Sequence, residues 1–182
     1  MSLADDAFID ARLAYWQRHI TRTAASLIPP QTGPAAHAAL GPVLDQLVAV
    51  YNLAGGLVAD LRQSADGSLA TTDAGRAYLS QLATALAHSN RAATHLSTAV
   101  MGIADFHRFA SRPGMAVPVD SQLSVTLGHA AALRSLQRAL EAITNPLADA
   151  QPGPGPTSAP AVAEQHRRAA DSTGTHPVRR RP

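Results

Sequence analysis

The sequence predicts an all-α protein: an antiparallel bundle of about four long helices over residues 1–148, followed by a disordered Pro/Gly/Arg-rich tail over residues 149–182. Three observations carry that expectation. Apolar residues recur at three- and four-residue spacing over long stretches, the period of a helix with one buried face. No stretch alternates with period two, and aromatic residues make up only 4% of the chain, so a sheet has little to build on. From Gln151 the run Pro152-Gly153-Pro154-Gly155-Pro156 has the composition of a linker and no core-forming pattern.

The first helix is expected to start behind Ser2, an N-cap, with Asp5 and Asp6 in the first turn where the helix dipole favours acids. Its core face reads Ile9, Leu13, Trp16, Ile20, Ala24 and Leu27, and Pro29-Pro30 stops it. Pro34 and Pro42 suit the first turns of the next segment. There the row Leu40, Leu44, Leu47, Tyr51, Ala54, Val58 and Leu61 keeps a strict four-three alternation and is expected to form the buried seam. A second row, Val43, Val50 and Leu57, widens the stripe, so this helix should touch neighbours on more than one side. Gly55-Gly56 lies inside it, at a cost of about 1 kcal/mol each relative to alanine, and so implies a close approach or a kink.

Ala65-Asp66-Gly67-Ser68 reads as a turn, and Thr72-Asp73 caps a third helix that meets no breaker until about Ser111. Its seam runs Leu79, Leu82, Leu86, Ser89, Ala93, Leu96, Val100, Ile103, His107 and Ala110, and is expected to loosen at Ser89. Arg112-Pro113-Gly114 and Pro118 end it. Asp120 or Ser121 then caps a fourth helix with the face Leu123, Leu127, Ala130, Leu133, Leu140, Ile143 and Leu147, and Asn145-Pro146 closes the folded part.

Composition removes several classes of chemistry. The chain has no cysteine, so disulfides, thiolate catalysis and cysteine-based metal sites are excluded, and a reducing compartment fits. The N-terminus carries acids where a secretory signal carries a basic segment, and the apolar stretch Leu47 to Val58 is broken by Asn52 and the glycine pair, short of the ~20 residues a span needs. The expectation is a cytoplasmic protein with no membrane span. All basic side chains are arginine. Residues 1–148 hold ten arginines against ten acids, while the tail holds five arginines against three, so the formal charge of +2 belongs to the tail.

Candidate chemistry is sparse. No two histidines stand four apart, and Glu141 is the one glutamate in residues 1–148, so the Glu-x-x-His framework of di-iron bundles cannot be assembled. Only histidines from separate helices, such as His19, His95 and His129, could converge on a zinc ion. No metal or other cofactor is expected. Arg12 and His19, with six residues between them, resemble the Arg–His spacing of HEPN-class ribonuclease bundles, but they fall in the first helix, and that class carries the pair late in the bundle. The alanine-rich, cysteine-free helices are similar to those of WXG-type hairpins, yet Trp16 is followed by Gln17 and Arg18 and the defining glycine is missing.

Two sets of residues remain as contact candidates. Arg167, Arg168, Arg179, Arg180 and Arg181 could neutralise phosphates in a salt-sensitive, sequence-independent way. Phe106 and Phe109 cannot share one narrow helix face, which leaves one of them for a partner. The wide apolar stripes over a charge-balanced body favour a non-enzymatic interaction or adaptor bundle that associates with itself or with a partner protein. A nucleic-acid accessory role through the arginine tail is the alternative.

Overall fold

The computed structural model of the chain describes residues 3–30, 39–110 and 118–145. Four α-helices fill them: α1 Leu3–Ser26, α2 Leu40–Ala65, α3 Asp73–Ala110 and α4 Val119–Thr144, with a 3-10 turn at Ser68–Thr71 between α2 and α3. Among the described residues there is no strand. The expected tail, residues 149–182, lies outside them, as does the N-cap position Ser2.

Successive helices reverse direction. Trp16 of α1 meets Asp60 late in α2, whereas Ile28, just past α1, accepts a hydrogen bond from Gln46 early in α2. Tyr78 at the start of α3 also reaches Asp60, and at the far end Ile103 and Phe106 of α3 cluster with Val43 of α2. Late α3 meets early α4 where Gly102 lies against Ser121 and Val125, and Gly128 then lies against His95 and Ala99. The result is the antiparallel four-helix bundle predicted from the spacing.

All four helices contribute to the main core. Ile9, Trp16, Ile20 and Leu27 of α1 pack with Val50, Leu53 and Leu57 of α2, Leu82 and Leu96 of α3, and Leu136 and Ile143 of α4. A smaller cluster, Ala39, Val43, Ala99, Ile103, Phe106 and Val125, closes the opposite end without α1. The α1 face is the one read from the sequence. Two rows of α3 are buried, Leu82, Ser89, Ala93, Leu96 and Ile103 together with Tyr78, Ala85, Ala92, Ala99 and Phe106, because α2 and α4 both pack on this helix. Ser89 is fully buried and donates its hydroxyl to the Ala85 carbonyl at 2.9 Å, so the middle of α3 is filled where the sequence suggested looseness.

Two predicted faces are corrected. In α2 the expected second row Val43, Val50 and Leu57 is buried together with Gln46, Leu53, Ala54, Asp60 and Ser64; of the expected seam, Ala54 is buried and Leu40, Leu47 and Leu61 pack partly against the core, whereas Leu44, Tyr51 and Val58 are about half exposed. Two polar members of the inner row are bonded across the bundle, Asp60 accepting from Trp16 and Gln46 Nε2 donating to the Ile28 carbonyl, and Gly56 gives room for the Trp16 ring, which a Cβ there would meet at 2.9 Å. In α4 the expected Ile143 is buried and Leu133 and Leu140 pack against the core, but the rest of the buried row is Ser121, Val125, Gly128, His129, Ala132, Ser135, Leu136, Ala139 and Ala142, Leu123 and Leu127 point outward, and Leu147 lies outside the described residues. Small residues win there because the α3 and α4 backbones come close: a Cβ on Gly128 would stand 2.7 Å from the His95 carbonyl oxygen.

The helix ends follow local chemistry. Thr72 accepts the Gly75 N–H on its hydroxyl oxygen at 3.0 Å and so caps α3 as expected. Gly75 itself lies against the Leu69 backbone and has no room for a side chain. Helix α4 begins at Val119, one residue before the expected caps, and Ser121 instead donates to Asp105 of α3 at 3.2 Å. By length and composition α2 is long and apolar enough to cross a membrane, although the glycine pair had argued against that. Its inner face is nevertheless built into the protein core.

Candidate interaction surface

The most elaborate side-chain cluster is the one that sets the orientation of α2. Asp60 is 4% exposed and receives Trp16 Nε1 at 2.5 Å, Tyr78 Oη at 2.9 Å and Arg12 Nη2 at 2.8 Å, while Ser64 Oγ donates to its other oxygen at 3.3 Å. Burial by itself would raise the Asp60 carboxyl. The hydrogen bonds from Arg12, Trp16 and Tyr78, with the Arg12 charge, outweigh burial and hold it below its ordinary value of 3.8. Burial, reinforced by Asp60, pushes the Tyr78 hydroxyl up to about 12. A carboxylate this fully engaged by donors is poorly placed to take a proton from a substrate. It works as a pin joining α1, α2 and α3.

With that face turned inward, the opposite face of α2 is apolar and, among the described residues, uncovered. Leu44, Val48, Tyr51 and Val58 are 41%, 56%, 54% and 50% exposed and continue at four- and three-residue steps through Gly55 to Arg62. From Gln46 to Leu61 the only charged residue is Asp60, which is buried, so the outer face carries no charge between Leu44 and Arg62. A Cβ placed on Gly55 would meet nothing within 4 Å. Single exposed apolar residues are ordinary on protein surfaces; here four stand in register on one helix.

The residues singled out from the sequence fall elsewhere. Phe106 is 4% exposed within the smaller core cluster and is unavailable to a partner. Phe109 is partly exposed and lies beneath the Arg108 guanidinium, 4.9 Å from its ring centre. Arg167, Arg168, Arg179, Arg180 and Arg181 lie outside the described residues. Arg12 is committed to Asp60, and His19 stacks on Tyr15 with ring centres 5.8 Å apart, so the two do not form a catalytic pair. Among the described residues no three of His, Asp and Glu gather as a metal site, so His19, His95 and His129 do not converge. Burial lowers the pKa of His129 against a hydrogen bond to the Ile28 backbone. His95 lines a shallow cleft with Arg134, Ser135 and Arg138.

Sequence reading missed the Asp60 pin, although a signal was present. Asp60 and Ser64 continue the row Val50, Leu53 and Leu57 at helical spacing, which places a carboxylate on the same stripe as the core. Comparison with protein-family models, curated proteins and solved structures finds no match to this chain.

Proposed function

We propose that the chain is a non-enzymatic interaction bundle that docks helices on the outer face of α2. One observation carries this reading: Leu44, Val48, Tyr51 and Val58 form a half-exposed apolar row on a helix whose rotation is locked by a buried four-donor carboxylate. A face held rigidly in one orientation loses little conformational freedom on docking, which favours association. The row has the a/d spacing of a helix–helix seam and so suits an α-helical partner surface.

The reading is tested by placing a photo-crosslinking benzoylphenylalanine at position 48 and, as a control, at the exposed, polar position 18. The expected outcome is an in-cell protein adduct from position 48 several-fold above the control, mapped to a helical segment of this chain or of another. Equal, background-level adducts from both positions would refute the reading.

A further inference from the structure

We propose that the cleft between α3 and α4 is a binding site for a phosphate group, held by Arg134, Arg138 and His95. It stands apart from the α2 outer face and does not depend on the reading given to that face. His95 of α3 and Arg134 and Arg138 of α4 line the cleft together with Ala131 and Ser135. Ser135 is buried and donates its hydroxyl to the Ala131 carbonyl at 2.9 Å, so the donors left for a ligand are those of the arginines and the histidine. Arg134 and Arg138 are one helical turn apart, which sets their Cβ atoms about 5–6 Å from each other on one face.

Charge placement points to an anion. Three other arginines of the bundle are paired, Arg12 with Asp60, Arg76 with Asp73 and Arg108 with Asp105. Among the described residues the side chains of Arg134, Arg138 and His95 have no ion pair or hydrogen bond. Helix α3 has no acid from Ala74 to Ala104 and α4 has none from Ser121 to Leu140, so along the cleft the charged residues of both helices are all basic, with Arg91 one turn before His95. The nearest acid along α4, Glu141, is three residues past Arg138 and makes no ion pair among the described residues. Like charges one turn apart on a helix repel, and an anion between them removes that cost.

The donor set selects the anion. Each guanidinium presents paired N–H donors in a planar fork that matches two oxygens of a phosphate, and the imidazole adds a further N–H. A carboxylate has two oxygens, enough for one fork; a phosphate has oxygens for both forks and the ring at once. The cleft encloses about 160 Å³, below the ~300 Å³ at which pockets begin to enclose a drug-sized molecule, so it takes the phosphate group and leaves the rest of a phosphomonoester in solvent.

The test is an NMR titration of the isotope-labelled full chain with inorganic phosphate and, separately, with glycerol 3-phosphate, at an ionic strength held constant with sodium chloride. Saturable shifts of the Arg134 and Arg138 Nε–H signals and of the His95 ring are expected, with a Kd at or below about 1 mM. Arg134→Ala/Arg138→Ala should weaken binding at least tenfold. Both positions are exposed, so its melting temperature should match that of the parent chain, which separates lost binding from lost folding. Arg18→Ala/Arg22→Ala is the control: the same spacing on a surface lined by α1 alone, where the change should leave binding as it was. Tighter binding of glycerol 3-phosphate supports the proposal with a phosphomonoester as ligand, and equal binding supports it with the free ion. Absence of saturable shifts with either, shifts that fall instead on Arg18, Arg22 or the arginines of residues 167–181, or binding that survives Arg134→Ala/Arg138→Ala would overturn it.

Discussion

Asp60 shows how one residue can fix what apolar patterning leaves open. A buried ion pair is weak evidence for net stability, because desolvation offsets much of the Coulombic gain, but removing one partner strands the rest. Asp60→Asn would leave Arg12 without its counter-charge and the Trp16 and Tyr78 donors competing for one amide oxygen. The expected loss is about 2–4 kcal/mol in urea unfolding. Because the folded carboxyl is held below 3.8, its contribution is full above that value and is lost as pH falls through the lower, folded pKa. The substituted chain should therefore lose that step of the acid-unfolding profile, followed through Trp16 fluorescence. A profile identical in both chains would contradict the assignment. The pin was visible in the sequence only as an aspartate on the row of Val50, Leu53 and Leu57; nothing local reveals that its donors lie 44 and 18 residues away.

Among the elements, α1 was legible because one three- and four-spaced row, Ile9, Trp16, Ile20 and Leu27, holds its buried apolar residues, although Phe8 and Tyr15 lie exposed beside it. For α2 and α4 the larger residues misled. The heptad through Leu44, Tyr51 and Val58 is real, but it faces away from this chain's core, and the inner row carries Gln46, Asp60 and Ser64. In α4 the leucines Leu123 and Leu127 outrank Gly128, Ala132 and Ser135 on any hydropathy scale, yet close backbone approach to α3 requires the smaller set. Glycine substitutions separate the two situations. Gly128→Ala places a methyl against the His95 carbonyl and the Ala99 nitrogen, both backbone, and should destabilise by about 1–3 kcal/mol. Gly55→Ala meets nothing and should stabilise the chain by up to about 1 kcal/mol. Thermal unfolding of the two single variants reads the contrast directly; equal effects would mean that the helix spacing is looser than described.

For the whole bundle, the fold class followed from period and composition, and the order of faces required three dimensions. Helix α1 is fixed at two levels, by Arg12 and Trp16 on Asp60 and near its end by Gln46 and His129 on Ile28, while the smaller cluster excludes it. The same arrangement that directs polar side chains inward leaves an apolar exterior on α2, so the surface proposed for interaction follows from how the interior is built. That relation could not be read from residue spacing, since both rows of α2 are apolar enough to serve as a core.

The contact between Tyr78 and Asp60 also gives the protein an optical marker of its alkaline limit. The chain has no lysine, and arginine keeps its charge to very high pH, so Tyr78 is the member of the cluster that can release a proton above neutrality. Its folded pKa, about 12, lies above the ordinary 10.0, so the stability it confers is whole below pH 10 and is lost as pH rises toward 12. In a Tyr15→Phe/Tyr51→Phe chain, Tyr78 is the sole remaining tyrosine. The ultraviolet band of its phenolate should then appear together with the loss of helical circular dichroism, and a band that completes while the helices persist would refute the coupling. A single chromophore would report, in base, the parting of three helices.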